Sequence, residues 1–310
     1  MCAKWVNLIL LLTVIKDMNY IFNTCAIIGP GLIGGSIGLG LKKLNLVERI
    51  IGIGRRQESI NAAVSKGAID SGTMDIRNGV QDADIVIAAT PVSLITQNLK
   101  SAIPYLKKGA LITDVGSTKS FILQELKDAS LNASEKTNDY FEFIGAHPIA
   151  GSENKGAEYA ESDLFVNSIC VLTPTESNSK SGIDKLTKMW KLLGAKVISM
   201  RPEEHDAILA RTSHLPQVLA YAIANIIEND QWKFSAGGLK DLTRIAASDP
   251  SLWIDICGQN RANIINAIDL FVKELSCISS NLSACNDDQL KEIFANARKH
   301  RNAFYNTKSD

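Results

Sequence analysis

Short apolar runs alternate with amphipathic stretches along the first two thirds of the chain. The first run, Cys25–Ile28, has the unbroken hydrophobicity that is typical of a strand buried on both faces of a parallel sheet. Segments of roughly ten to twenty residues, several with helical spacing, separate most of the later runs. This alternation predicts an α/β fold with a doubly wound sheet. The other predicted strands are Ile50–Ile53, Ile85–Ala89, Ala110–Val115, Phe143–Ala146, Ser168–Thr173 and Lys196–Ser199.

The pattern is helical from Pro202 onward, without further strand signals. Pro202 suits the first position of a helix, and Glu203 and Glu204 are favourable in its first turn. We therefore predict two domains, an α/β domain over residues 24–201 and a helical domain over residues 202–310. A narrow apolar seam in the helical domain indicates either packing within the chain or pairing of two subunits. The seam consists of Ile264, Ile268, Phe271, Leu275 and Ile278.

Residues 1–23 are treated as an N-terminal extension outside this fold. Their apolar run Trp5–Ile15 resembles the hydrophobic region of a secretory signal, but no small-residue cleavage site follows it. The run is also too short to span a bilayer. An equally good explanation is that translation starts at Met18, just before the first strand. We therefore predict no association with a membrane.

Charge and cysteine usage exclude several classes of function. Lys+Arg and Asp+Glu balance at 33 each, so the chain has no basic field for nucleic-acid binding. The 6 cysteines are scattered, with no Cys-x-x-Cys pair and no spacing typical of a zinc site. We interpret them as reduced thiols, which indicates a cytoplasmic protein without a metal site.

A glycine-rich turn between the first strand and the first helix predicts a dinucleotide-binding domain. Glycines at Gly29, Gly31 and Gly34 form the pattern Gly-x-Gly-x-x-Gly in the strand-to-helix context that this motif requires. Such a turn brings the backbone close to a pyrophosphate, and the following N–H groups, from Leu32 and Ile33 onward, can bind it. We assign these five residues to the cofactor.

The end of the second strand indicates which dinucleotide is preferred. NAD enzymes carry an Asp or Glu there that accepts from the ribose 2′-hydroxyl. This chain has Arg55 and Arg56 instead, and guanidinium groups can bind a 2′-phosphate. We therefore predict NADP rather than NAD.

Polar residues follow three later strands, at the edge of the sheet where the ligand crevice of this fold opens. Ala89-Thr90-Pro91 should pass the cofactor, and Asp114–Lys119 follows the next strand. His147 follows another, where a histidine can accept the proton that oxidation of an alcohol releases.

Two further groups lie in the helical domain. Pro216 should kink its helix and leave polar atoms free beside Ser213, His214 and Gln217. Arg244 lies among apolar neighbours and should need an anion, from either a protein carboxylate or a ligand.

These motifs, in this order, resemble those of the prephenate and arogenate dehydrogenases. The match extends from about Thr24 to at least Phe271, and its most specific parts are His-Pro-x-x-Gly, Ser-His-Leu-Pro and Thr-Arg-Ile-Ala. The resemblance implies a Rossmann-type domain, a helical dimerisation domain and a homodimer. It also implies oxidative decarboxylation of a small molecule, either prephenate or its amino analogue arogenate.

The resemblance also implies residue roles. His147 would be the base that takes the ring hydroxyl proton, and Ser117 would contact that hydroxyl beside the nicotinamide. His214 and Arg244 would bind substrate carboxylates. The remaining residues assigned to the substrate pocket are Ser213, Gln217, Gly151, Ser152 and Glu153.

Two other functions fit parts of this pattern. A β-hydroxyacid dehydrogenase shares the two-domain plan but uses a catalytic lysine in a glycine-rich helix motif, which Lys240 matches poorly. A dinucleotide-sensing regulator would bind the cofactor without turnover and would give His147 no role.

Overall fold

The computed structural model describes residues 20–132, 141–152 and 154–306. The strands are β1 (Phe22–Ile28), β2 (Val47–Ile53), β3 (Ser71–Thr73), β4 (Ile85–Ala88), β5 (Ala110–Asp114), β6 (Phe141–Phe143), β7 (Gly145–Ile149), β8 (Ile169–Thr173) and β9 (Lys196–Ser199). The helices of the first domain are α1 (Leu32–Lys43), α2 (Gln57–Ser65), α3 (Ile76–Val80), α4 (Val92–Ala102), α5 (Ser120–Asn132) and α6 (Lys180–Leu192). The second domain contains α7 (Pro202–Leu209), α8 (Leu215–Ile226), α9 (Gly237–Thr243), α10 (Pro250–Gln259), α11 (Arg261–Ser283) and α12 (Asp287–Asn306).

The main sheet has six parallel strands in the order β3-β2-β1-β4-β5-β6. This is the doubly wound Rossmann order, and it confirms the predicted fold class. The order in which successive strands are added to the sheet reverses between β1 and β4, so the crevice of the fold opens at their carboxyl ends. Both strands are almost fully buried, as their apolar sequences predict.

Three of the predicted strands form a separate sheet, so the expectation of one continuous sheet is wrong. The order in the second sheet is β7-β8-β9, with β7 antiparallel to β8 and β8 parallel to β9. The predicted strand Phe143–Ala146 is divided at Ile144: its first residue ends β6 and its last two belong to β7. An added Cβ at Gly145 would lie 2.5 Å from the Thr173 side chain, so only glycine lets β7 approach β8 at this point.

The first domain begins earlier than residue 24. Phe22 pairs with Val47 in the sheet and is buried in the core, so residues 22 and 23 belong to β1 and not to the extension. Residues 1–19 lie outside the described part. The short strand β3 was not predicted because its Ser-Gly-Thr sequence has no apolar signal; it is held by parallel pairing with β2.

Helix α7 continues into α8 through a π-helical turn, Ala210–His214. Pro216 has no N–H to donate to the carbonyl of Thr212, and the wider turn accommodates this missing bond. The helix disturbance predicted at Pro216 therefore takes the form of a π turn. Such turns are frequent at functional sites.

The predicted seam is only partly an exposed face. Ile264 is buried and Ile268 packs with it in a small cluster within the chain, whereas Leu275 is half exposed. Packing within the chain therefore accounts for the first end of the seam, and the other end is exposed. None of the described helices is long and apolar enough to cross a membrane.

Candidate active site

A cavity of about 990 Å³ lies at the carboxyl ends of β1, β2 and β4. This is the switch point of the sheet, where the fold binds its ligand. Seven of the residues assigned to the cofactor line it, namely Gly29, Gly31, Arg55, Arg56, Ala89, Thr90 and Pro91. The structure therefore brings these seven together, whereas Leu32, Ile33, Gly34 and Ser117 do not line this cavity.

The three motif glycines have different roles. Gly29 has a φ of 86°, and a Cβ there would lie 2.8 Å from the Ala89 carbonyl oxygen. A Cβ on Gly34 would lie 2.4 Å from the Gly29 carbonyl oxygen, so this glycine allows α1 to pack against the turn. A Cβ on Gly31 would meet nothing within 4 Å. Gly29 and Gly34 therefore shape the turn, while Gly31 keeps its surface open for a ligand.

The start of α1 can bind an anion. No side chain caps this helix, whose first residues are the half-buried Leu32 and Ile33. The N–H groups of a first turn have no partners inside the helix and carry the positive end of its dipole. Open space at Gly31 and these donors fit the pyrophosphate of a dinucleotide.

His147 belongs to a chain of three buried side chains. Its Nδ1 lies 2.8 Å from Nε2 of His205, and Nδ1 of His205 lies 2.8 Å from Oδ1 of Asp206. The Asp206 carboxylate also accepts from the backbone N–H groups of Lys119 and Ser120, both at 2.9 Å. The first turn of α5 is thereby joined to α7 and, through His205, to β7.

A buried ion pair supports the loop that carries Ser117. The Lys119 ammonium donates to the Asp114 carboxylate and, at 2.8 Å, to the carbonyl of Ala146. The other interactions of Asp114 are with the N–H of Gly116, at 2.8 Å, and of Ala146. These bonds tie the half-buried Ser117 to the strand that holds His147.

Burial keeps His147 neutral. Desolvation lowers the pKa of His147 well below 6.5, and the nearby His205, Lys119 and His214 lower it further because each can carry positive charge. A neutral imidazole has one nitrogen lone pair, which is what a proton acceptor requires.

His214 ends the π turn and is also buried. The Asn260 amide donates to the Asp206 carbonyl, at 2.8 Å, and to Nδ1 of His214, at 3.1 Å, so this Nδ1 is an acceptor and Nε2 carries the proton. Nε2 has no hydrogen-bond partner among the described residues. Desolvation lowers the pKa of His214 to about 4. A neutral, buried and unpaired N–H donor is suited to an oxygen of a ligand.

The family domain described as "Prephenate dehydrogenase, nucleotide-binding domain" matches residues 37–199, and "Prephenate dehydrogenase, dimerization domain" matches residues 201–296. The chain belongs to the prephenate dehydrogenase family. The two matched ranges meet at residue 200, next to the predicted domain boundary.

Individual members of the family resemble the chain over most of its length. Prephenate dehydrogenase of Bacillus subtilis (strain 168) is 34% identical, over 92% of this chain and 76% of the relative. The structure of A. aeolicus prephenate dehydrogenase with hydroxyphenyl propionate and NAD+ has a TM-score of 0.81 and 31% identity, and the match covers 90% of this chain and 97% of the other. Synechocystis arogenate dehydrogenase has a TM-score of 0.76 and 28% identity, with coverages of 91% and 99%. The chain is thus an oxidoreductase of this family.

The remaining residues that the sequence assigns to the substrate pocket of this prephenate dehydrogenase family member differ in exposure. Gln217 is buried and donates to the Ile245 carbonyl at 2.7 Å, so it anchors the turn that begins at Arg244. Arg244 itself is exposed and forms no ion pair within the described part of the chain. Ser213 is half-buried beside His214 in the π turn, whereas Gly151 and Ser152 are exposed. Glu153 lies outside the described residues.

The sequence did not single out four residues of this network: His205, Asp206, Asn260 and Lys119. Lys119 ends the Asp114–Lys119 segment, just before a helix. Its ammonium contacts Asp114 of β5 and the Ala146 carbonyl of β7, and these strands belong to different sheets. His205 and Asp206 directly follow Glu204 in α7, where Pro202 and the two glutamates already accounted for the helical pattern. The sequence signal that could have pointed to them is a histidine followed directly by an aspartate, in a chain with just 4 histidines.

Proposed function

We propose that the chain converts prephenate to 4-hydroxyphenylpyruvate by oxidative decarboxylation, with a nicotinamide dinucleotide, in tyrosine biosynthesis. One observation carries the proposal: a continuous hydrogen-bonded network joins a neutral histidine, His147, to an unpaired buried donor, His214, through His205, Asp206 and Asn260. Oxidation of a ring alcohol needs a proton acceptor, and a dicarboxylate substrate needs donors. The experiment is to measure turnover of prephenate by the purified chain.

His147 would accept the proton of the ring hydroxyl, with Ser117 hydrogen-bonded to the same oxygen. A bound nicotinamide supplies the hydride acceptor. The buried position of His147 excludes competing water, and the orientation of its ring is held by His205. Loss of carbon dioxide then makes the ring aromatic, which drives the reaction without a metal ion. Among the described residues, no cluster of three or more potential metal ligands is found.

The substrate carboxylates would be bound by His214 and Arg244. His214 supplies the unpaired Nε2–H donor, and Arg244 supplies a guanidinium without a described protein partner. Ser213, Gln217, Gly151, Ser152 and Glu153 would complete the pocket. Gln217 would act by holding the Arg244 turn, because its amide is bonded to the Ile245 carbonyl.

Arogenate is the second candidate substrate, because the Synechocystis arogenate dehydrogenase shares the fold at 28% identity. Family membership favours prephenate or arogenate over the substrate of a β-hydroxyacid dehydrogenase. Lys240, the poor match to the catalytic lysine of those enzymes, is exposed and lies outside the network. A regulator that binds without turnover would have no use for a buried histidine pair. A cytoplasmic location stays a prediction.

The cofactor is proposed to be NADP rather than NAD. Arg55 and Arg56 are exposed at the rim of the cavity, at the end of β2, where a 2′-phosphate would lie. Replacing both with Ala should raise the KM for NADP at least about tenfold and leave the KM for NAD nearly unchanged, since two charge-assisted bonds are lost only to NADP. Arg49→Ala, at the amino-terminal half of β2, is the matched control. Equal changes in the two KM values would show that the arginines are merely solvated.

The molecule is proposed to be a homodimer through its helical half. Large apolar side chains stand about half exposed or more on α8, α10 and α11, including Ile226 (74%), Ile254 (71%) and Val272 (52%). A monomer rarely exposes such an extended apolar surface, and the matched domain is a dimerisation domain. Light scattering at micromolar concentration should therefore give twice the chain mass of 33.7 kDa. A mass of one chain would contradict the proposal.

A further inference from the structure

We infer that His205, held by Asp206, sets the tautomer of His147 so that Nε2 of His147 is the nitrogen that accepts the substrate proton. The inference rests on the proposed function and adds a positioning pair to it. It depends on four atoms in succession, Oδ1 of Asp206, Nδ1 and Nε2 of His205 and Nδ1 of His147, joined by two contacts of 2.8 Å.

The direction of the bonds follows from Asp206. Two backbone N–H groups and the His205 ring surround its carboxylate, and the donors lower its pKa despite the burial that opposes them. An ionised carboxylate only accepts hydrogen bonds. Nδ1 of His205 therefore carries a proton, which it donates to Asp206.

A neutral His205 with its proton on Nδ1 has its lone pair on Nε2. That lone pair accepts a bond from Nδ1–H of His147, which leaves Nε2 of His147 unprotonated. The reverse arrangement, with His205 charged and Nε2 of His147 protonated, would disable the base. Because the proposed function requires His147 to accept the substrate proton, we infer the arrangement in which Nε2 of His147 is unprotonated.

The arrangement serves the chemistry as follows. The substrate O–H bond breaks with its electron pair remaining on oxygen, and the proton forms a new bond to Nε2 of His147. The resulting imidazolium keeps its Nδ1–H bond to His205, whose polarised ring transmits the stabilising charge of Asp206. His205 and Asp206 are buried and touch no reacting atom, so they act through His147.

Nitrogen-15 spectra of the imidazole rings test the tautomer without any substrate. The chain has only 4 histidines, so His300→Gln, His205→Leu and His147→Asn assign three of the ring signals, and the fourth belongs to His214. The wild-type protein should show the Nδ1–H tautomer for His147 and His205. In His205→Leu, the His147 ring loses its acceptor and should shift toward the Nε2–H tautomer. An Nε2–H tautomer for His147, or a doubly protonated His205, in the wild-type protein at neutral pH would overturn the inference.

Kinetics separate positioning from mere packing. His205→Leu, similar in bulk, should lower kcat by about 100-fold or more with a much smaller change in KM, as for other bases that lose their orienting partner. His205→Gln keeps an acceptor for Nδ1–H of His147 and should recover part of kcat. Equal kcat values for the Leu and Gln variants would contradict the inference, and His300→Leu is the surface control. Failure to turn over prephenate would instead contradict the proposed function and leave the tautomer result intact.

Discussion

His147→Asn is expected to lower kcat with prephenate by about 10²- to 10⁴-fold, the usual contribution of a general base. The amide N–H of Asn can replace Nδ1–H as the donor to His205, so the network around Asp206 should survive. Only the proton acceptor is lost. KM should therefore change much less than kcat.

The melting temperature and kcat must be measured on the same preparation. His300→Asn, on the exposed face of α12, is the control for the substitution itself. A structural histidine would give the opposite pattern, in which stability falls while the folded fraction keeps near-normal turnover. That outcome would remove His147 from the chemistry.

The pH dependence follows from the same side chain. The base is active when it is deprotonated, and burial holds the pKa of His147 well below 6.5. We therefore expect kcat/KM to stay level as the pH is lowered through 6.5 and to fall only at lower pH. A histidine with its ordinary pKa would instead give a midpoint near 6.5. Unfolding exposes both His147 and His214, which then bind protons below that pH, so acid also destabilises the fold. Circular dichroism at each pH therefore accompanies the rates.

Arg244→Gln is expected to raise the KM for prephenate by about 10- to 100-fold for each lost bond, from roughly 1.5–3 kcal/mol per charge-assisted hydrogen bond. The guanidinium forms no ion pair with the described residues, so its removal leaves no buried carboxylate unpaired. Because Arg244 is exposed, the free energy of unfolding should hardly change.

Arg298→Gln is the matched control, since Arg298 is also an exposed arginine of the helical half. Binding of the dinucleotide, followed by fluorescence, should be the same in both variants. An unchanged KM for prephenate in folded Arg244→Gln would assign this arginine to another role.

The main sheet could be predicted because each strand is a complete local signal. Cys25–Ile28 and Ile85–Ala88 are apolar throughout, and Gly29 to Gly34 marks the turn between strand and helix. The second sheet could not be predicted, because β6 and β7 are separated only by Ile144 and no turn signal divides them. The two strands pair with different partners: β6 pairs with β5, and β7 pairs with β8, where Gly145 lies opposite Thr173, 28 positions away in the chain.

The site was predicted in part for a similar reason. Each of three assigned residues lies in a short, continuous sequence motif of its own: His147, His214 and Arg244. The partners of the two histidines come from other elements: His205 and Asp206 from α7, and Asn260 from the junction of α10 and α11. Hydrogen bonds between distant elements leave no periodic pattern, and only the folded arrangement shows that Asn260 fixes the His214 proton.

The most direct test of the proposed reaction is steady-state kcat/KM for prephenate and for arogenate, each with NADP and with NAD. We expect the highest value for prephenate with NADP, together with formation of 4-hydroxyphenylpyruvate and one equivalent of carbon dioxide. Measurable dinucleotide binding with no turnover of either substrate would contradict the proposed function.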